Sequence, residues 1–184
     1  MLRSAVIACA VFGVATSLYW ESTKHGFHYD DYHSITRNPH IRSLASLPRF
    51  FVEPETFSEE AKNAMYRPIL LTSYALNFSA GGLNAAAFHR TNVLLHGLNA
   101  GLVFLFLLQL VGDRKLAAGG ALLFAVNPVN SEAVNYVSSR SELLMATFFL
   151  MAVAAFLRFR AVGHWRWFTG AFGAAILSIL TKSV

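Results

Sequence analysis

TNVLLHGLNAGLVFLFLLQLVG, residues 91–112, runs for 22 residues without one aspartate, glutamate, lysine or arginine. Coiled as an α-helix at about 1.5 Å per residue it reaches roughly 33 Å, enough to cross a bilayer core of about 30 Å. Similar uncharged blocks flank it: SAVIACAVFGVATSLYW between Arg3 and Glu21, a stretch from Leu116 through Asn127-Pro128, Leu143 to Leu157, and Trp167 to Thr181. The whole chain of 184 residues is 55% hydrophobic and only 14% charged. Soluble domains carry about 25% charged residues, so a water-soluble globule of this composition could not cover itself. A soluble enzyme, a disordered tail and a disulfide-stapled secreted module are excluded. The net charge of +5 comes from basic residues between the apolar blocks, which argues for topology rather than nucleic acid. The single cysteine, Cys9, cannot form an internal disulfide.

These blocks predict an all-α, polytopic membrane helical bundle of about five transmembrane helices, near residues 4–20, 89–112, 115–136, 142–158 and 166–181. The first block has no small-x-small site before Glu21 and ends in the interfacial pair Tyr19-Trp20, so it reads as an uncleaved span. Pro68–Ala80 is too short as a helix to cross, and Gly81-Gly82 breaks it. If it does not span, Arg3, Arg114, Lys115, Arg158, Arg160 and Arg166 share one face, and Arg140 and Lys182 the other. If it spans, the positive-inside rule fails. It is therefore expected in or on the interface, inside a long outer loop from 21 to 88 with the N-terminus cytoplasmic. Within that loop, residues 41–52 place Ile41, Leu44, Leu47 and Phe51 on one side of a helix lying flat on the membrane. Residues 53–63 read as a solvated excursion. The apolar end at Val184, after an odd number of spans, is expected to belong to something longer, with missing C-terminal spans and helical repeats.

Chemistry-bearing residues gather outside the membrane. Asp30 and Asp31 follow the first span by about ten residues. A carboxylate there can accept a proton from an attacking hydroxyl, or Asp31 can cap a short helix starting at Tyr32; spacing alone favours the cap. His25, His28, His33 and His40 show no tight ligand spacing, so no metal is expected. His89 and His96 share a helix face, suited either to a polar cavity or to hydrogen bonds with a neighbouring helix. In NPVNSEAVNYVSSRSELL (127–144), Asn127 can cap a helix placing Glu132, Tyr136 and Arg140 on one face, with Glu142 beyond. Glu132 and Arg140 form either a structural pair or a substrate contact. Arg140 and Lys182 share the outer side with the two aspartates and suit the phosphate of a lipid donor.

In order and at matching spacing, YDDYHSITRNPHI (29–41), YRPILLTSYALN (66–77), GLNAAAFHRTNVLLHGLNA (82–100), LLFAVNPVNSEAV (122–134) and SRSELL (139–144) resemble the N-terminal membrane region of the transmembrane and tetratricopeptide-repeat O-mannosyltransferases and their bacterial relatives, of the GT-C type. The resemblance runs from Tyr29 to Lys182. It implies transfer of a sugar, mannose in that family, from a polyprenyl or dolichyl phosphate to a Ser/Thr hydroxyl of a protein acceptor. The transfer would invert the sugar and use Asp30 or Asp31 as general base, with no cofactor beyond the lipid-linked donor. It also implies polar site residues at Arg67, Glu132, Arg140, Glu142 and Lys182. A bacterial inner membrane or the endoplasmic reticulum membrane is expected, with the catalytic loop on the non-cytoplasmic side and no nucleic-acid partner. Relatives often read HPVHTEAV where this chain has Asn127 and Asn130, and SKE where it has Lys182-Ser183. The competing class is a non-catalytic membrane scaffold or transporter-like subunit whose buried charges hold helices together.

Overall fold

The computed structural model describes residues 2–182 and places no strand among them. Ser183, read above against the SKE motif, lies outside the described residues. The α-helices are α1 (Leu2–Tyr19), α2 (Leu47–Phe50), α3 (Pro68–Gly81), α4 (Ala85–Val111), α5 (Arg114–Val126), α6 (Ser131–Asn135), α7 (Arg140–Val162) and α8 (Trp165–Thr181). Three continuous helical stretches are long and apolar enough to cross a membrane: Leu2–Lys24, Ala85–Val111 and Val137–Val162. The chain is an all-α membrane helical bundle. Where five spans were expected, the other two apolar helices, α5 and α8, have 13 and 17 residues. At 1.5 Å per residue they reach about 20 and 26 Å.

The stretch expected as one span over 115–136 is broken. Asn127 precedes Pro128 and is forced extended (φ −67°, ψ 122°), because the proline ring crowds the helical conformation of its neighbour. Asn127 Oδ1 then accepts from Val129 N–H, and Asn130 Nδ2 donates at 2.7 Å to the Phe124 carbonyl, which also accepts the Asn127 N–H. These two asparagines thus seal the end of α5.

Two packing groups hold the helices. α1, α4 and α5 meet through small residues, with Ala15, Ala100, Ala117, Ala121 and Ala125 buried around Phe104. At Gly97 of α4 a Cβ would sit 2.5 Å from Thr16 Cγ2 of α1, so only glycine permits that approach. His96 Nε2 bonds the Ala125 carbonyl, which decides for the helix-bonding reading of that residue, and its ring meets Tyr19 edge-on at 4.9 Å. α7 and α8 form an antiparallel hairpin. Gly163 closes α7 in the left-handed region (φ 69°), and His164 caps α8.

The outer loop folds as a lid over this frame. Residues 41–52 do not make one flat helix: Ser43 is extended (φ −139°) and splits the segment into short turns. Ile41 and Phe50 are buried, while Leu44 and Phe51 are exposed. Together with Ile35 and Phe57, Ile41 and Phe50 pack on Leu70, Leu71 and Tyr74 of α3. Nor are residues 53–63 a solvated excursion, since Thr56, Phe57 and Ser58 are buried. Asn38 Nδ2 donates to the carbonyls of Ser34, Thr56 and Phe57, stitching that segment down.

Candidate active site

The two aspartates face different surroundings. Asp31 is fully buried. Its Oδ2 accepts the His28 N–H at 3.0 Å, and its Oδ1 accepts the Ser138 N–H at 2.8 Å and the Ser138 hydroxyl at 2.5 Å. It makes no capping bond to the helical turn Tyr32–Thr36, so the capping expectation is overturned. The carboxylate ties the loop after α1 to the segment before α7, 107 positions along the chain. Asp30 instead leaves its side chain 67% exposed, with Oδ1 3.5 Å from His33 Nε2. Its backbone N–H donates to the Tyr136 hydroxyl at 2.9 Å. Tyr29, just before, sits at φ 44°, a conformation that costs an ordinary residue on the order of 1–3 kcal/mol. The bonds on either side of the pair hold that strained turn in place.

Asp30 opens into a cleft of about 420 Å³ that also receives Arg67, Glu132, Tyr136, Glu142 and Lys182. Five of the seven expected site residues therefore converge: Asp30, Arg67, Glu132, Glu142 and Lys182. Asp31, fully buried, does not line the cleft. Lys182 is ion-paired to Glu142. Arg67 has no carboxylate partner among the described residues; its guanidinium lies 5.5 Å from the centre of the Phe57 ring and its buried Nε has no hydrogen-bond partner. Among the described residues it is the basic side chain of the cleft left without a carboxylate.

Arg140 is not in the cleft. It is fully buried, with Nε bonding Asn92 Oδ1 at 2.8 Å, Nη1 bonding Asn77 Oδ1 at 2.6 Å and Nη2 bonding the Phe88 carbonyl at 2.9 Å. The faces of Tyr74 and Phe88 enclose it at 4.9 and 5.3 Å. The expected Glu132–Tyr136–Arg140 helix face does not form, because α6 stops at Asn135 and Tyr136 turns extended (φ −108°, ψ 120°). Glu132 and Arg140 are consequently not paired: Glu132 lines the cleft and Arg140 does not.

Tyr136 and His33 belong to the cleft although neither stood out as a site residue. His33 lies three positions after Asp30, a helical spacing that the sequence offered, and its Nδ1 is held 3.0 Å from Ser58 Oγ. Burial pushes the Tyr136 phenol above its ordinary value; the Asp30 N–H opposes this and the negative charges of Asp30 and Asp31 add to it. The phenol therefore keeps its proton. Among the described residues no group of three or more His, Cys, Asp or Glu side chains is placed to hold a metal ion.

No protein-family model matches the chain, and no solved structure matches it. Curated relatives do. Human protein O-mannosyl-transferase TMTC3 is 33% identical over 151 residues, which is 80% of this chain and 16% of that protein. Drosophila melanogaster Tmtc1 is 31% identical over 170 residues, covering 91% of this chain and 19% of the relative. Mouse TMTC2 is 29% identical over 186 residues, covering 97% and 22%. The chain thus spans about a fifth or less of the length of the relatives it matches. Identities of 29–33% carried along most of the chain show that it belongs with the TMTC proteins, relatives that are named protein O-mannosyl-transferases.

Proposed function

We propose that this chain builds the acceptor-activating part of a membrane mannosyltransferase, moving mannose from a polyprenyl or dolichyl phosphate to a Ser or Thr hydroxyl of a protein. The observation that carries the reading is the contrast between Asp31, buried and bonded, and Asp30, held by its backbone and open to the cleft. In the reaction the hydroxyl oxygen attacks the anomeric carbon, its proton passes to the Asp30 carboxylate, and the bond from that carbon to the phosphate oxygen breaks. Attack opposite the leaving phosphate inverts the sugar. Arg67, unneutralised, suits the phosphate with its planar fork of donors. Lys182 would join it by exchanging Glu142 for the phosphate. Glu132 is left for the acceptor or the sugar hydroxyls. Arg140 holds the frame rather than the donor, and the reading invokes no cofactor besides the lipid-linked sugar. A scaffold role would account for Arg140, but it leaves Asp30 and Arg67 without a purpose.

The test compares Asp30→Asn with Asp31→Asn in the full-length protein, reading transfer to a Ser/Thr peptide alongside thermal melting. Removing a general base costs about 10² to 10⁴ in rate. Asp30→Asn should lose that much with its melting temperature unchanged. Asp31→Asn, which weakens a buried, charge-assisted set of bonds, should lower the melting temperature. Near-wild-type transfer by a properly inserted Asp30→Asn protein would sink the assignment.

A further inference from the structure

The end of the bundle opposite the cleft carries a second composite site. The α7–α8 hairpin sets the scale: Glu142 and Arg158 are 16 residues apart on α7, and Arg166 of α8 is 16 residues from Lys182, which directly follows that helix. Both intervals correspond to about 24 Å of helix. Because Glu142 pairs with Lys182 at one end, Arg158 and Arg166 stand level with each other at the other. Between them opens an apolar groove of about 550 Å³, walled by Leu102 and Leu105 of α4, Met151 and Ala154 of α7, and Gly170 and Ala174 of α8. Its mouth holds Arg158, Arg166, Trp167 and Gln109. Arg166 and Trp167 also line an adjoining hollow of about 430 Å³ with His164. Neither Arg158 nor Arg166 has an ion-pair partner among the described residues, and no acidic side chain lines either space.

We propose that this groove is a binding site for one anionic phospholipid, its phosphate held between Arg158 and Arg166 and one acyl chain lying between α4, α7 and α8. The charge is complementary, and the apolar wall begins directly beneath the charged mouth, as the two halves of a lipid require. Trp167 and Gln109 stand at the mouth, where an amphipathic ring and an amide meet a headgroup. About 24 Å of helix separates this mouth from the level of the cleft, most of a hydrocarbon core of about 30 Å. The lipid therefore sits in the leaflet opposite the one the cleft faces. The site is independent of the reaction proposed above, and none of its residues belongs to the cleft.

The test uses the protein in nanodiscs of phosphatidylcholine with a minor fraction of phosphatidylglycerol, measuring by native mass spectrometry how far the anionic lipid is enriched among retained lipids. Each arginine near a headgroup contributes on the order of 1 kcal/mol, so Arg158→Gln with Arg166→Gln should cut the enrichment roughly tenfold or more. Arg160→Gln removes the same charge two residues away on the other side of α7, lining neither space, and should leave the enrichment intact. Gly170→Leu projects into open space and fills the groove. It should also abolish retention, which a site for free phosphate would not show. Unchanged enrichment in the double variant, an equal loss in Arg160→Gln, or retention in Gly170→Leu would each overturn the proposal. Melting temperatures near wild type in all the variants keep the comparison sound.

Discussion

Each nitrogen of the Arg140 guanidinium group donates to a fixed acceptor, drawing on Ser73 and Asn77 of α3 and on Phe88 and Asn92 of α4. One side chain of α7 thereby fixes the lid helix α3 against a span. Lysine carries a single point of charge and cannot reach acceptors spread over two helices in a planar fork. Arg140→Lys should therefore leave buried amide oxygens unpaired, at about 1–3 kcal/mol for each. We expect a fall in the melting temperature of the detergent-solubilised protein and a matching fall in yield; an unchanged melt would show that the cage is not structural. Arg67→Lys, by contrast, should leave the melt alone and raise the donor concentration needed for half-maximal transfer. The two arginines were alike in the sequence, each in a short polar stretch beside apolar residues. What separates them is a chain path that carries Asn77 and Asn92 to one and an aromatic ring with open space to the other.

Among the elements, α1 and α4 approach at Gly97. Gly97→Leu must displace Thr16 and Phe12, since a Cβ alone would come within 2.5 and 2.9 Å of them, and overpacking of this kind costs about 1–3 kcal/mol. Gly13→Leu, on the open side of α1, meets nothing within 4 Å and should be silent. Comparing the two thermal melts checks the arrangement: equal effects would place α1 elsewhere. The long helices were legible because an uncharged run of twenty or so residues has few alternatives. The lid was not. Its helical spacing from Ile41 to Phe51 was real, but an extended Ser43 and the bonds of Asn38 override it, and those depend on partners 18 and 19 residues away. The break at Asn127-Pro128 is legible in the proline, which disfavours a helical residue before it. That the chain does not resume one long helix to Arg140 depends on Tyr136 reaching Asp30, 106 positions earlier. The acidic pair was readable as a pair; the division of labour within it was not, because only the fold brings Ser138 beneath Asp31.

For the molecule as a whole, the charge asymmetry predicts that the lid and cleft face the non-cytoplasmic side, with the α7–α8 turn opposite. Glu55→Cys lies on an exposed lid position and Ala161→Cys on an exposed position beside the turn. An impermeant thiol reagent should modify the first in intact cells or sealed vesicles and the second only after permeabilisation; the reverse pattern would invert the bundle. Three helices able to cross fix a membrane protein. The cleft at one end and the paired arginines at the other give its two faces different chemistries.

The clasp between Asp31 and Ser138 also has a temporal side. A chain entering a membrane from its first residue exposes the acidic loop long before Ser138 and Tyr136 are synthesised. Until they arrive, the strained turn at Tyr29 has nothing to hold it, and Asp30 has no fixed aim. The base proposed above is thus aimed only once the segment leading into α7 takes its place.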